Sequence, residues 1–107
     1  MISLLRGILI QANQDSIIVE VSGVGYEVGI HSGAWADLPP AGSPVMVHTH
    51  LQVLDNDLKL FGFLNREELE LFKLVLTVSG MGTKTALSIL SVFKPSQFYQ
   101  ADRKSVV

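Results

Sequence analysis

The sequence has no cysteine among its 107 residues, which excludes a disulfide framework, a zinc-thiolate site and a cysteine nucleophile. It also lacks any excess of positive charge. Eight Lys+Arg stand against 10 Asp+Glu, a formal net charge of -2 with a pI near 5.8, the reverse of the basic footprint usual in a nucleic-acid binder. No apolar run reaches the ~18 residues that a membrane span requires, and Arg6 interrupts the apolar start Met1-Ile2-Ser3-Leu4-Leu5. The expectation is a soluble, unprocessed, cytoplasmic chain. Against these absences stand a hydrophobic fraction of 48% and a mean hydropathy of +0.37, which argue against disorder. A chain of this length makes one ordinary domain or two very small ones, and buries roughly 60 to 70% of its unfolded surface.

Before about residue 64 the pattern is that of strands: β-branched runs alternate with Gly, Pro, Asn and Asp clusters at short intervals, as in a small all-β barrel. The predicted strands are Ile2 to Gln11, Ser16 to Ser22, Tyr26 to Ile30, Val45 to Val53 and Leu58 to Phe63. Turns are predicted at Ala12-Asn13-Gln14-Asp15, Gly23-Val24-Gly25 and Asp55-Asn56-Asp57. Five strands suit an OB-type barrel, with Ser32 to Leu38 as a helical strap closed off by Pro39-Pro40 and Gly42. In the fourth strand, alternation puts Val45, Val47, Thr49, Leu51 and Val53 inside, and Met46, His48, His50 and Gln52 on a solvated outer face.

From Asn65 the period becomes helical. Asn65 is the expected N-cap, and Glu68 three residues later is its capping-box partner for the orphan amides of the first turn. Leu69, Phe72 and Leu76 form one buried stripe. The helix runs out at Ser79-Gly80-Met81-Gly82, and a second begins near Thr83, with Ala86, Leu87, Ile89, Leu90 and Phe93 apolar and Pro95 preventing continuation. The expected fold class is therefore a β barrel followed by α. A five-stranded OB-fold barrel occupies residues 1–63 and a small helix-hairpin-helix unit residues 64–107, with no room for a flexible linker at Phe63-Leu64-Asn65.

The candidate phosphate-binding residues are Ser79, Gly80, Met81, Gly82, Thr83 and Lys84. Gly80 and Gly82 flank an apolar residue between two short helices, where the backbone turns tightly and approaches another backbone without a Cβ collision. The loop opens onto a helix N-terminus, whose unpaired amides and positive dipole end attract a phosphate, and Lys84 adds a cation in the first turn. Each charge-assisted hydrogen bond contributes about 1.5 to 3 kcal/mol, so two or three of them outweigh the acidic total. Such contacts reach the nucleic-acid backbone and are nearly independent of base sequence. Met81 would lock the hairpin, and the small Ala86 would let the helices cross closely. The plainer alternative is an αα-hairpin in which the two glycines only end one helix and open the next.

Other signals are weaker. Gly23-Val24-Gly25 with Gly29 has the spacing G-x-G-x-x-x-G and leads into a strand, so it is a turn rather than a dinucleotide fingerprint. Gly82-Thr83-Lys84-Thr85 lacks the full P-loop pattern and a leading strand, so no ATP hydrolysis is expected of the chain itself. His31, His48 and His50 have no carboxylate partner at ligand spacing, which favours a solvated polar face over a metal site. Trp35 and Tyr26 are either stacking platforms for bases or packing residues. Arg6, Lys59, Arg66 and Lys73 are scattered, as single solvated charges usually are. No nucleophile, acid and base can be assembled, no cofactor is called for, and no catalytic Asp with a pocket speaks for a glycosylase.

Four blocks, Leu5-Arg6-Gly7-Ile8-Leu9-Ile10, Val21-Ser22-Gly23-Val24-Gly25-Tyr26-Glu27-Val28, Leu60-Phe61-Gly62-Phe63 and Ser79-Gly80-Met81-Gly82-Thr83-Lys84-Thr85-Ala86-Leu87, resemble successive blocks of the RuvA family in order and separation. The resemblance covers essentially the whole chain. It implies an N-terminal OB barrel followed by a first helix-hairpin-helix, and a non-catalytic subunit that assembles as a tetramer on four-way (Holliday) junction DNA. Hexameric RuvB motors would dock to drive branch migration with ATP, with the RuvC resolvase a further candidate partner. It favours packing for Trp35 and Tyr26. It also gives the Asp55-Asn56-Asp57 turn, otherwise explained by ordinary turn preference, the role of an acidic pin that projects at the junction centre. Asp55 aligns with the first acid of that pin, Asn56 replaces the second and Asp57 comes one position later. Family members continue into a second helix-hairpin-helix and a mobile C-terminal domain that docks the motor, whereas the sequence to Ser105-Val106-Val107 is expected to carry the first hairpin alone. The competing classes are an oligomerising interaction module and a general single-strand DNA binder that uses the barrel face.

Overall fold

The computed structural model of the chain describes residues 1–79 and 82–92. Five strands, β1 (Leu4–Ala12), β2 (Ser16–Val21), β3 (Val24–Gly29), β4 (Pro44–Val53) and β5 (Leu58–Phe63), are followed by helices α1 (Arg66–Ser79) and α2 (Thr83–Val92), and a 3-10 strap (Ser32–Asp37) lies between β3 and β4. The strands close a barrel in the order β1-β2-β3-β5-β4. All neighbours are antiparallel except β3 and β5, which run parallel at Val28↔Leu60 and Gly29↔Phe61. This is the OB arrangement. One strand, β1, serves both β2 and β4, and its register shifts between Leu9 and Gln11, an irregularity of the kind that bends strands at barrel corners. At Gly7 a Cβ would stand 2.1 Å from the carbonyl oxygen of Glu20, so the close approach of β1 to β2 admits no side chain there.

The predicted turn at Gly23-Val24-Gly25 is displaced. Val24 and Gly25 are already paired with Val21 and Glu20, and the two-residue loop is Ser22-Gly23, both with positive φ (52 and 87). A two-residue hairpin whose twist matches the strands needs positive φ at both loop positions, and here a serine supplies one of them.

The aliphatic barrel core contains Leu5, Leu9, Ile17, Val19, Val28, Ile30, Ala34, Val45 and Val47. Strand alternation holds for Val45, Val47 and Thr49, which are buried, but Leu51 is only half-buried and Val53 is 69% exposed. The reason lies in the pairing: β4 meets β1 only between Pro44 and His48, whereas its ladder with β5 continues to Val53↔Leu58. The far half of β4 and the start of β5 are therefore a two-stranded arm that leaves the barrel, and among the described residues nothing covers Val53 at its end. Where the arm departs, the Thr49 hydroxyl donates to the carbonyl of Ile2 at 2.7 Å.

A second core joins the end of β5 to the helices through Phe61, Phe63, Leu69, Leu71, Phe72, Ala86 and Leu90. Phe72 lies under Phe63 and Phe61 at ring separations of 4.9 and 5.7 Å. The apolar side of α1 is wider than the expected stripe because barrel and α2 both cover it, so Leu71 is buried beside Leu69 and Phe72. Ala86 is fully buried where α2 meets this cluster, as its size suggested. Phe93 and Pro95, the expected end of the second helix, lie outside the described residues. Among the described residues no helix is long and apolar enough to cross a membrane.

Candidate nucleic-acid interface

The acidic turn sits at the tip of the β4–β5 arm. The amide of Leu54 donates to the carbonyl of Asp57 at 2.8 Å, which leaves Asp55 and Asn56 as the loop and Asp57 at its base. The Asp57 carboxylate accepts the amide of Leu58 at 2.8 Å. Both carboxylates are exposed, Asp55 at the tip of the turn and Asp57 at its base. Carbon surface surrounds this tip, since Val53, Leu54 and Leu58 are 69%, 41% and 64% exposed.

At the other candidate site, α1 ends at Ser79 and α2 begins at Thr83. Gly80 and Met81 of the hairpin lie outside the described residues. Gly82 is exposed, a Cβ added to it would meet nothing within 4 Å among the described residues, and its carbonyl accepts the Ala86 amide at 3.1 Å. Helical bonding therefore starts here, and the first-turn amides that follow have no partner further back in their own helix. Lys84 is exposed, and no carboxylate lies within ion-pair distance of it among the described residues.

The attitude of α1, and through it of the hairpin, is held by a pair that no sequence signal revealed. Asn65 caps the helix as expected, its Oδ1 accepting the Glu68 amide at 2.9 Å. The Glu68 carboxylate, however, does not reach back to the capping backbone. One oxygen accepts the Asn65 side-chain amide at 3.2 Å, and the other accepts Nε2–H of the buried His31 at 2.6 Å. His31 stands at the entry to the strap and stacks on Phe63 with a centroid separation of 6.3 Å. The pair ties strap, barrel and α1 together across 37 residues. The strap is bound to α2 as well, where the Ser32 amide donates to the Ser91 hydroxyl at 3.1 Å.

The histidines do not gather. Among the described residues no group of three or more His, Asp and Glu could hold a metal ion. His50, expected on a solvated face, is covered by α1 and meets Phe72 edge-on at 5.6 Å. Burial, assisted by the nearby Lys73 ammonium, lowers its pKa below the usual 6.5. Folding then disfavours the protonated ring, so this group's contribution to stability is intact above pH 6.5 and is lost as pH falls from there toward the lowered value. Compared by urea unfolding at about pH 7.5 and about pH 5.5, the wild type is expected to lose more stability on acidification than His50→Gln. Equal losses would contradict this. Trp35 is 48% exposed, because the strap buries Ala34 instead. Tyr26 packs against the barrel core.

Two clefts link these parts. One is lined by Tyr26, Asp57, Leu58 and Lys59 beside the base of the acidic arm. The other is lined by His31, Lys59, Thr83, Lys84 and Ser88 between β5 and α2. The structure thus brings Thr83 and Lys84 together with Lys59, which by sequence alone is a lone solvated charge, while Asp57 shares only the first cleft.

The family model described as "RuvA N terminal domain" matches residues 1–62. A Syntrophomonas wolfei protein named "Holliday junction branch migration complex subunit RuvA" is 52% identical over 111 aligned positions, covering 100% of this chain and 56% of the relative. Proteins of the same name from Chlorobaculum parvum and Symbiobacterium thermophilum are 45% and 42% identical, each over 94% of this chain and 50% and 49% of their own lengths. The chain spans about half the length of the curated relatives it matches.

Proposed function

The chain belongs to the RuvA family, and from that premise we propose that it is a non-catalytic, structure-specific DNA-binding subunit that recognises four-way junctions in recombination and repair. The observation that carries this is the start of α2. There an exposed glycine, first-turn amides and a Lys84 with no ion-pair partner among the described residues coincide at one helix N-terminus, in a family whose relatives are named for the junction. Ser79, Gly80, Met81, Gly82, Thr83 and Lys84 hold a phosphate, and the barrel of 1–63 presents the helical unit of 64–107 to the DNA. Four copies surround the junction in the cytoplasm, with the ATPase supplied by RuvB and resolution by RuvC. Because single helix-terminus contacts are weak, affinity depends on the number of copies joined and falls steeply with salt.

Asp55, with Asp57 at the base of the same turn, is the pin in this scheme. Its exposed carboxylate at the end of the β4–β5 arm repels phosphate and so penalises a continuous duplex at the centre, where a junction opens its strands. Asp55→Asn is expected to raise affinity for linear duplex roughly fivefold while leaving junction affinity little changed, as read by fluorescence anisotropy. An unchanged ratio of the two affinities would remove Asp55 from this role.

The function itself is tested by competition. Labelled four-way junction bound to the chain is challenged with unlabelled duplex of equal length, and light scattering gives the mass of the complex. Survival against a large excess, at a mass of four chains per junction, is the expected result. Displacement by an equal mass of duplex would overturn the proposal.

A further inference from the structure

We propose that the cleft between β5 and the start of α2 is a second phosphate seat, in which Lys59 and Lys84 jointly hold a backbone phosphate of the strand running from the helical hairpin toward the acidic tip. It rests on the DNA-binding function proposed above and adds to it a residue, Lys59, from outside the hairpin. The cleft measures about 410 Å³, and Lys59 of the barrel faces it with Thr83, Lys84 and Ser88 of α2. The two lysines come from elements unrelated in sequence. Among the described residues neither has a carboxylate within ion-pair distance, although Arg66 of α1 has Glu70 at 3.7 Å.

Asp15 is the single carboxylate in the lining, so two cations face one anion. A chain whose total charge is -2 thus has a locally positive cleft, which attracts an anion. The hydroxyl of Thr83 adds a neutral donor of the kind that accompanies lysine around phosphate, whereas that of Ser88 donates to the Lys84 carbonyl at 3.1 Å. His31, 4% exposed, is a further lining residue, and among the described residues its Nδ1 has no partner. A buried ring nitrogen of this kind is normally satisfied; with Nε2–H given to Glu68 it is an acceptor, and a water bridging it to a phosphate oxygen would satisfy it. Lys59 also lines the cleft beside Asp57 and Leu58. One cation therefore borders both the route to the tip and the hairpin, as a strand passing between them requires.

The test is titration of four-way junction and linear duplex over a range of salt with the full chain and with Lys59→Gln, Lys84→Gln and the double variant. Lys59 is exposed, so its replacement leaves the fold alone. Lys59→Gln is expected to weaken junction binding roughly fivefold or more and to flatten log affinity against log salt by about 0.9 for each phosphate no longer neutralised. The double variant should lose less than the sum of the single losses, because both lysines serve one phosphate. If Lys84→Gln weakens binding and Lys59→Gln changes neither affinity nor slope, the seat is overturned and the hairpin stands. Additive losses would place Lys59 on a different phosphate and overturn the shared seat. If the wild type binds junction and duplex equally, the junction function fails, and the seat is judged on the duplex slope, which Lys59→Gln must still flatten. Inorganic phosphate, compared with chloride at equal ionic strength, should compete no better with the wild type than with Lys59→Gln. Selective competition with the wild type would make the seat one for free phosphate and overturn its assignment to DNA.

Discussion

Gly82→Glu is expected to lower affinity for a four-way junction by at least about a hundredfold without disturbing the fold, because each copy would set a carboxylate against a phosphate at a cost of about 1 to 4 kcal/mol. The substitution separates binding from stability. Among the described residues nothing lies within 4 Å of the position that its Cβ would occupy. An acidic side chain next to a helix N-terminus also interacts favourably with the dipole, so the urea midpoint should move little. On the DNA side the same carboxylate occupies the approach to the first-turn amides of α2 and neutralises the attraction of Lys84. The check is a junction titration beside an unfolding curve. Undiminished binding by a folded Gly82→Glu protein would mean that the glycines only end one helix and open the next.

Phe72→Ala has the largest expected effect on the fold, about 3 to 5 kcal/mol. Its ring is fully buried and is shared by the barrel, through Phe61, Phe63 and His50, and by α1. Small domains have only about 5 to 15 kcal/mol in total, so the loss removes much of what holds the helices on the barrel. Phe72→Leu keeps most of the volume and should cost less than half as much. Urea unfolding followed by circular dichroism would show the midpoint of Phe72→Ala far below that of Phe72→Leu. Similar midpoints near the wild-type value would show that the Phe72 ring does not join the two parts.

These two residues also mark what is legible in the sequence. Phe72 stands out by helical period and Gly82 by its spacing from Gly80, because both signals are local. Four of the five strands begin and end within two residues of their expected limits, and β5 matches at both ends, since alternation and turn residues are local as well. Failures come where a distant part of the chain decides. Val53 keeps the inward phase of β4, but the ladder with β1 has ended and the arm leaves the barrel, so it is exposed. His50 keeps the outward phase, but α1 covers it. Glu68 has the position of a capping-box acid, yet His31, remote in sequence and close in space, takes its carboxylate. Lys59 is solitary in the sequence because its companion Lys84 is carried to it by the fold of the helices. In the candidate interface, the cap, the start of α2 and the acidic turn are readable, whereas the geometry that makes Asp57 a local hydrogen-bond acceptor and leaves Asp55 at the tip is not.

The most direct test of the central claim is a map of backbone amide shifts as the isotope-labelled chain is titrated with a four-way junction carrying short arms. The start of α2 is expected to respond first and most strongly, at Gly82, Thr83 and Lys84, with a second response around Asp55 on the arm and little change along β1 and β2. Shifts confined to the barrel strands, with the amides of residues 82–84 unmoved, would contradict a phosphate grip by the helical hairpin and assign DNA binding to the barrel face.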